Sequence, residues 1–447
     1  MSAPTPSRRA AYDTLRRVFE AGAWADRALR SVASRMGLEG RERAQAQALA
    51  YGAVQRRGTS DHFVEHLADR PVERIDPPLL AALRLGLFEL LYSDGTAEHA
   101  AVDQAVALAK GRDGRRRGAG LVNAVLRRAA RERELLLGSL GDGTPRSAAT
   151  AHSVPVWLAE LWWEELGPDS ARLLLAAINR PPERAFRANA IRTDRAAAIS
   201  LLAAAGVDAR EPDPAEPPAP ADSIVVAGGG TGRLEEFVAD GLVVPQSRAS
   251  ALVVEVLSPS PGERVLDLCA GPGIKASQIA GAIGASGQGL VAVERDPARA
   301  RELRSMLDRL GASSAVVELG DATEPRAGGF DAVLVDPPCS GLGTLATRPD
   351  ARWRRRPEDI EAMAVTAGRI LDRAAEAVAP SGRVVYSTCT ISHRENEAVV
   401  SAAPGRLADL GAEPGLQRLA AAAEPRCLQT RNDRDGTDGF FIARLSP

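Results

Sequence analysis

The stretch RVLDLCAGPGIKAS, residues 264–277, leads from an apolar run into a helical pattern through a turn that contains two glycines. The run from Val265 to Leu268 has the length of a buried strand, and apolar residues recur at helical spacing after the turn. Gly271 and Gly273 leave room for a ligand to approach the backbone. A strand, a glycine-rich turn and a helix in this order are used for nucleotide, flavin and adenosyl ligands alike.

The same alternation of strands and helices continues toward the C-terminus. Apolar strands are indicated by GLVAVE (289–294), SAVVELGD (314–321), FDAVLVDPPC (330–339) and GRVVYSTC (382–389). Helical patterns lie between them, such as PARARELRSMLDRLG (297–311). This alternation predicts a doubly wound, Rossmann-like α/β sheet, in which ligands bind beyond the carboxyl ends of the strands.

The part of the chain before this sheet has a different pattern. A chain of 447 residues is too long for one ordinary core, so we expect several domains. Apolar residues recur at three- and four-residue steps through residues 1–140, which predicts an all-α bundle. Residues 150–240 mix helical and short extended patterns, which predicts a small α+β connecting module. The α/β domain then covers residues 241–447.

Charge is unevenly distributed along the chain. Residues 1–150 contain 24 basic and 18 acidic side chains, whereas the remainder contains 32 and 40. A basic first module beside an acidic second one suggests a polyanionic partner, although a GC-rich genome would favour arginine codons equally well. Because no apolar stretch approaches the roughly 20 residues of a membrane-spanning helix, we expect a cytoplasmic protein without membrane contact.

The four cysteines, at positions 269, 339, 389 and 427, form no Cys-x-x-Cys pair. Neither a zinc site nor a disulfide framework is therefore indicated. HFVEH (62–66) matches a zinc-binding pattern, but it lies in the predicted bundle without a plausible third ligand, so we expect no metal. Nothing in the sequence requires an oligomer, and we expect a monomer.

Acidic side chains follow the predicted strands at the ligand edge. Glu294 ends the second strand, where a carboxylate suits the two hydroxyls of a ribose, and Asp321 ends the third, where it could meet an adenine amino group. The turn lacks the third glycine of a dinucleotide site. S-adenosylmethionine therefore fits better than a dinucleotide, and a purely structural turn remains the alternative.

Two cysteines lie at the same predicted edge. Cys339 follows Asp336 and two prolines, which form a rigid corner able to hold a flat ring, and Cys389 follows the last strand. Methylation of cytosine at C5 requires a thiolate that adds to C6, a carboxyl group at N3 and N4, and a base that removes the C5 proton. Cys389, Asp336 and Cys339 supply these groups in that order. We expect the Cys269 and Cys427 thiols to be packing residues.

Five segments together resemble the motifs of RNA cytosine-C5 methyltransferases of the NOL1/NOP2/Sun type. They are LDLCAGPGIKAS, VAVERD, GDATEP, VDPPCSGLGT followed by RPDARW, and YSTCTISHRENE. The resemblance implies that Cys389 is the nucleophile and that Cys339 assists release. It also implies that the cofactor S-adenosylmethionine is bound by Cys269, Ala270, Gly271, Pro272, Gly273, Ile274, Lys275, Glu294, Asp321 and Asp336.

The N-terminal part of the chain narrows the resemblance to one branch of this family. AEHAAVDQAVALAK and GLVNAVLRR are similar to the NusB-type helical RNA-binding domain, which accompanies the Sun/RsmB branch of the family. The segment NRPPERAFRANAIRTDR (179–195) resembles the connecting region of that branch. This implies a 16S ribosomal RNA substrate, with the same chemistry on transfer RNA as an alternative.

One departure from the family pattern bears on activity. Ile274 stands where the family has glycine, and isoleucine tolerates a positive φ badly, so this residue brings the cofactor affinity into question. An RNA-binding assembly or antitermination factor with an inactive methyltransferase domain is therefore a second hypothesis. The run RWRRR (352–356) is open to two interpretations, a solvated charge cluster or a phosphate-binding site.

Overall fold

The computed structural model describes residues 3–93, 95–111, 117–229 and 231–447, which form two compact units. Unit 1 consists of Met1–Arg180 together with Leu345–Arg354. Unit 2 consists of Pro181–Thr344 and Arg355–Pro447. Both units are therefore discontinuous in sequence, because a short segment that follows the Pro-Cys motif belongs to unit 1.

Unit 1 is helical, and its core is centred on one apolar helix. The helices are α1 (Pro6–Glu20), α2 (Ala25–Met36), α3 (Gly40–Gln55), α4 (Arg57–Ala68), α5 (Pro77–Tyr92), α6 (Glu98–Ala109), α7 (Ala119–Arg131), α8 (Arg133–Gly138), α9 (Pro145–His152), α10 (Val156–Leu166) and α11 (Pro168–Ala177). Helix α5 is apolar on most of its faces because it packs against α1, α3, α4, α6 and α7. Among the described residues, no helix combines the length and the apolar content needed to cross a bilayer.

The segment Leu345–Arg354 is held in unit 1 by a buried arginine. Arg352 is fully buried, and its guanidinium donates to the carbonyl oxygens of Ser153 and Leu345, each at 3.1 Å, and to Asn179 Oδ1 at 3.0 Å. All these acceptors are uncharged, and burial lowers the pKa of Arg352 to about 9. Five donors in one planar group can satisfy several backbone carbonyls at once, which a lysine could not do.

The arginine run 352–356 is thus neither a solvated cluster nor a phosphate site at its first position. Arg354 pairs with Asp350 at 3.0 Å and stacks on Trp24, 4.4 Å from the ring centre. Arg355 binds backbone carbonyls in unit 2, as described below. Both sequence interpretations of this run are therefore wrong for Arg352, because this side chain is buried and its terminal nitrogens donate to oxygen atoms of unit 1.

Unit 2 begins with a small α+β module. Its elements are β1 (Ala185–Ala188), α12 (Arg195–Ala204), β2 (Val207–Arg210), β3 (Ser223–Gly229), α13 (Thr231–Ala239) and β4 (Val243–Pro245). The strands form an antiparallel sheet in the order β2-β3-β1-β4. Ala188, Leu202, Ile224 and Val243 form its apolar core.

The larger sheet of unit 2 carries the predicted motifs. Its elements are α14 (Arg248–Leu257), β5 (Val265–Asp267), α15 (Ile274–Ile283), β6 (Leu290–Glu294), α16 (Pro297–Leu310), β7 (Val316–Leu319), β8 (Phe330–Val335), α17 (Pro357–Ala377), β9 (Val378–Thr388), α18 (Glu397–Ala402), β10 (Arg406–Leu407), β11 (Leu428–Gln429), α19 (Asn432–Asp435) and β12 (Phe441–Ser446). The strand order is β10-β12-β9-β8-β5-β6-β7, with β11 paired to β12. Strands β5 to β9 are parallel and β12 is antiparallel to β9, so the predicted α/β fold is confirmed.

The strand order determines where a ligand can bind. Strand β5 lies between β6 and β8, so the connections leaving β5 and β8 turn to opposite sides of the sheet. A crevice opens at such a switch point, at the carboxyl ends of the strands. The glycine-rich turn follows β5 and the Pro-Cys motif follows β8, which brings both to this crevice.

We expect Arg352→Ala to destabilise unit 1 by about 2–4 kcal/mol, because it leaves several buried carbonyls without a donor. Urea unfolding, with hydrogen exchange in α9–α11 as the probe of unit 1, measures this loss of unfolding free energy. Arg30→Ala is the matched control, since Arg30 is exposed and pairs with Asp26 only at 3.8 Å; it should cost less than about 0.5 kcal/mol. Equal losses in the two variants would contradict the anchoring role of Arg352.

Candidate active site

The turn after β5 is shaped by glycine at two positions. Gly273 has φ +108 and caps α15, and a Cβ there would lie 2.8 Å from Leu303 Cδ1. Ile274 is the first residue of α15 and is not among the residues with positive φ. The expectation that Ile274 strains the turn is therefore wrong, because Gly273 adopts the left-handed conformation.

The second glycine lies directly against an acidic side chain. A Cβ at Gly271 would lie only 2.1 Å from Glu294 Oε2. Glu294 ends β6, is 8% exposed, and accepts a hydrogen bond from the Asp296 amide at 2.9 Å. The backbone of Ala270 donates to Val293 in the same strand at 2.9 Å. Ala270 and Gly271 of the turn therefore lie against the end of β6, where Glu294 is placed.

Asp267 is a residue to which the sequence analysis assigned no role. It ends β5, is 1% exposed, and accepts a hydrogen bond from the Cys269 amide at 3.3 Å. Burial, with the nearby charge of Asp336, raises its pKa to about 7, although Lys275 opposes this shift. A carboxyl group that titrates near neutral pH at a ligand edge is typical of functional sites. Its position at the end of the strand was the only sequence signal.

Asp321 lies further along the same edge. Its Oδ1 accepts hydrogen bonds from the amide and the hydroxyl of Thr323, at 2.9 and 2.7 Å. These two bonds lower the pKa of Asp321, so the carboxylate is ionised at neutral pH. Like Glu294, it accepts a hydrogen bond from the amide two residues further along its own loop.

Asp336 is oriented by partners from two other motifs. Lys275 Nζ lies 2.6 Å from Asp336 Oδ2, and the hydroxyl of Ser387 donates to Asp336 Oδ1 at 3.2 Å. Lys275 also lies 5.0 Å from the centre of the Phe440 ring. A carboxylate oxygen has two lone pairs, so each oxygen of Asp336 can accept a further hydrogen bond from a ligand. The first turn of α15, the loop after β8 and the end of β9 thus meet at one carboxylate.

The two candidate catalytic thiols are adjacent. Cys339 Sγ lies 3.3 Å from Cys389 Sγ, although the residues are 50 positions apart in the chain. The hydrogen bond to Cys389, followed by burial, raises the pKa of Cys339 well above its usual range. At this distance one thiol can donate a hydrogen bond to the other sulfur, and either sulfur can be the donor.

Several polar residues that the sequence analysis missed surround the thiols. The carboxylate of Glu395 accepts hydrogen bonds from the Ser340 amide and hydroxyl, and Arg355 donates to the carbonyls of Cys339 and Ser340. The Gly343 amide donates to the Cys389 carbonyl at 3.0 Å. Glu395 belongs to SHRENE, directly after the Thr-Cys pair, and that proximity was the available signal.

Cys269, Cys427 and the two histidines of HFVEH do not belong to the thiol pair. Cys427 is fully buried in the apolar core beside the sheet, and Cys269 is half-buried in the glycine-rich turn. His62 and His66 lie on α4 in unit 1. In the described part of the chain, no three histidine, cysteine or acidic side chains are grouped as a metal site would require.

Three family models match successive parts of the chain. Residues 5–131 match the NusB family, and residues 154–218 match a ferredoxin-like domain described as Methyltr_RsmF/B-like. Residues 254–446 match the model described as 16S rRNA methyltransferase RsmB/F. The order of the three matches agrees with the resemblance inferred from the motifs, which is confirmed.

Individual relatives cover the whole chain. A probable ribosomal RNA small subunit methyltransferase B of Bacillus subtilis is 30% identical over 99% of this chain and 98% of its own length. A protein of the same description from Synechocystis is 32% identical over 98% of this chain and 99% of its own length. The crystal structure of PH0851 has a TM-score of 0.79, with 23% identity and complete coverage of both chains, and it supports the fold. The chain therefore belongs to the 16S rRNA methyltransferase RsmB/F family.

Proposed function

We propose that this protein transfers a methyl group from S-adenosylmethionine to C5 of a cytosine in 16S ribosomal RNA. The observation that carries the proposal is the pair of thiols, 3.3 Å apart, at the ligand edge of the sheet. Asp336 belongs to the same edge and is held by Lys275 and Ser387. Two thiols and one oriented carboxylate are the groups that this reaction requires.

The turn and Glu294 fit the proposed cofactor. The absence of a Cβ at Gly271 leaves room beside the Glu294 carboxylate, which can accept hydrogen bonds from the two hydroxyls of a ribose. Asp321, oriented and ionised, can accept from an adenine amino group. S-adenosylmethionine bound at this edge would supply an electrophilic methyl group. Gly271, Glu294 and Asp321 would hold it, and Asp336 would orient the base beside it.

Cys389 acts on the base as nucleophile. Its thiolate adds to C6 of cytosine, a C6–S bond forms, and the electron pair of the C5–C6 double bond becomes available at C5. C5 would then take the methyl group as the bond between that group and the sulfonium sulfur of the cofactor breaks. The Cys339 thiol, hydrogen-bonded to the Cys389 sulfur, supports the negative charge on that sulfur before the addition. Asp336 accepts a hydrogen bond from the exocyclic amino group and fixes the ring for attack.

Release requires loss of the proton at C5. When that proton leaves, its electron pair restores the C5–C6 double bond and the bond from C6 to the Cys389 sulfur breaks. We assign this step to Cys339, because its sulfur lies beside the sulfur of the adduct. Cys339 must act as a thiolate here: its own proton passes to solvent, and the thiolate then takes the proton from C5. The nucleophile and the releasing group are thus separate residues.

The RNA substrate is inferred from the family. Matched relatives are described as small subunit methyltransferases, and the front of the chain matches the NusB family. A target base inside a folded RNA must leave its stack to reach a crevice at a sheet edge. We infer that the basic helical part contacts RNA phosphates while the cytosine enters the crevice of unit 2.

We expect Cys389→Ala to abolish both methylation and formation of a covalent protein–RNA adduct, because the nucleophile is lost. Cys339→Ala should instead accumulate the adduct, because the C5 proton is not removed. Denaturing gel electrophoresis with labelled RNA measures both outcomes. Cys427→Ala is the control and should turn over normally, since this thiol is buried in the core. Normal turnover of Cys339→Ala would exclude its release role.

We expect Gly271→Ala to weaken S-adenosylmethionine binding about 10- to 100-fold, because the new methyl group displaces the Glu294 carboxylate and costs about 1.5–3 kcal/mol. Calorimetric titration of the full chain measures the affinity. Gly368→Ala is the matched control, because open space surrounds that position on α17. If the unaltered protein bound no S-adenosylmethionine, the hypothesis of an inactive RNA-binding factor would replace this proposal.

Deletion of the gene should remove one 5-methylcytosine from 16S ribosomal RNA, and expression of the unaltered chain should restore it. Mass spectrometry of nuclease fragments from both strains measures this. The Cys389→Ala chain is the control and should not restore the modification. An unchanged map of ribosomal RNA with a lost 5-methylcytosine in transfer RNA would favour the transfer RNA alternative.

A further inference from the structure

The carboxylate of Glu395 is buried beside the loop that carries Cys339. Glu395 is 1% exposed, and its Oε1 accepts from the amide of Ser340 at 2.7 Å. Its Oε2 accepts from the Ser340 hydroxyl at 2.5 Å. Ser340 directly follows Cys339, so one carboxylate holds the backbone and the side chain of the residue next to this thiol.

The same carboxylate reaches the loop that carries Cys389. Thr390 directly follows Cys389, and its hydroxyl hydrogen-bonds to Glu395 and lies 2.9 Å from the hydroxyl of Ser340. Glu395 therefore contacts the residue that follows each cysteine. A rigid connection between these two neighbours limits how far the two sulfurs can separate.

Further contacts fix the position of Glu395 relative to the loop that carries Cys389. The Tyr386 hydroxyl, fully buried, donates to the Glu395 carbonyl at 2.5 Å. Asn396 accepts from the Thr388 hydroxyl at 2.6 Å and donates to the Thr390 carbonyl at 3.1 Å. Cys389 is thus held on both sides by the residues of SHRENE.

Burying a carboxylate at this place costs free energy. Its presence therefore indicates a task that an apolar residue cannot perform. Desolvation of a charged group costs several kcal/mol, and burial raises the pKa of Glu395 while the Ser340 hydrogen bonds oppose the shift. An apolar side chain would leave the Ser340 amide and two hydroxyls without this acceptor. The carboxylate satisfies all three and connects the two loops.

We propose that Glu395 is a positioning residue that sets the distance between the Cys339 and Cys389 sulfurs. Its importance for methylation rests on the proposed function, whereas its effect on the two thiols does not. Glu395 acts through Ser340 and Thr390 and takes no part in proton transfer. Length and hydrogen-bonding capacity at position 395 are therefore what the site requires, and negative charge is not.

Two substitutions separate length from charge. In Glu395→Gln the side chain keeps its length, its oxygen accepts from the Ser340 amide, and its amino group donates to the Ser340 hydroxyl. In Glu395→Asp the charge is kept, but the side chain is one methylene shorter and no longer reaches Ser340. Glu263→Asp is the matched control, since Glu263 pairs with Arg383 in the same unit, away from the thiol loops.

The separation of the two thiols can be tested without RNA, through the equilibrium constant for forming a disulfide between them. The full chain is equilibrated with oxidised and reduced glutathione; glutathione disulfide oxidises Cys339 and Cys389 to one disulfide and is itself reduced to two glutathione molecules. Peptide mass spectrometry measures the disulfide fraction. We expect Glu395→Gln and Glu263→Asp to stay within about threefold of the unaltered protein. Glu395→Asp should lower the equilibrium constant about tenfold or more, which corresponds to about 30 mV.

Methylation kinetics add the catalytic readout. Glu395→Gln should retain kcat, whereas Glu395→Asp should lower kcat with little change in KM for RNA. The proposal would be overturned if Glu395→Asp left the equilibrium constant for disulfide formation unchanged. It would also be overturned if Glu395→Asp were active in methylation while Glu395→Gln was inactive. If Glu395→Asp does not fold, Ser340→Ala replaces it and should lower the equilibrium constant about threefold or more; an unchanged value would be equally contrary. If the unaltered protein methylates no RNA, the proposed function fails, but the thiol equilibrium still tests Glu395.

Discussion

The parallel pairing of β8 with β5 on one side and β9 on the other is the constraint on which the site depends. Parallel strands present their carboxyl ends at one edge, so the segments that follow β5, β8 and β9 lie together although they are far apart in sequence. Lys275 lies in the helix after β5, Asp336 and Cys339 lie in the loop after β8, and Cys389 directly follows β9. A sheet with another strand order would have the same motifs without the contacts between Lys275 and Asp336 or between the two sulfurs.

Polar groups at this edge are buried or half-buried and are stabilised by specific partners. Asp267, Asp336 and Glu395 lie close enough to influence the titration of neighbouring side chains, and Lys275 is the cation that meets Asp336. Such groups are costly to bury without hydrogen bonds, so their partners hold them in one geometry. The arginines after the Pro-Cys motif follow the same rule, because Arg352 and Arg355 bind backbone carbonyls.

Much of the fold could be predicted from local patterns. The strands and helices of the α/β domain follow from apolar periodicity, and the glycine-rich turn follows from its composition. The positive φ considered for Ile274 and both interpretations of the arginine run at Arg352 were wrong. Backbone torsion at Ile274 depends on where the helix begins, and a charge run gives no indication of which carbonyls surround it once the chain folds.

The sequence alone determined the fold class, because motif spacing and apolar periodicity are local properties that do not require the tertiary structure. It indicated the acidic residues and thiols of the ligand edge. Only the tertiary structure decided that Cys339 and Cys389 touch, that Lys275 orients Asp336, and that Glu395 connects the two thiol loops. Those contacts join residues up to 61 positions apart, and a hydrogen bond is made only when strand pairing brings donor and acceptor within about 3 Å.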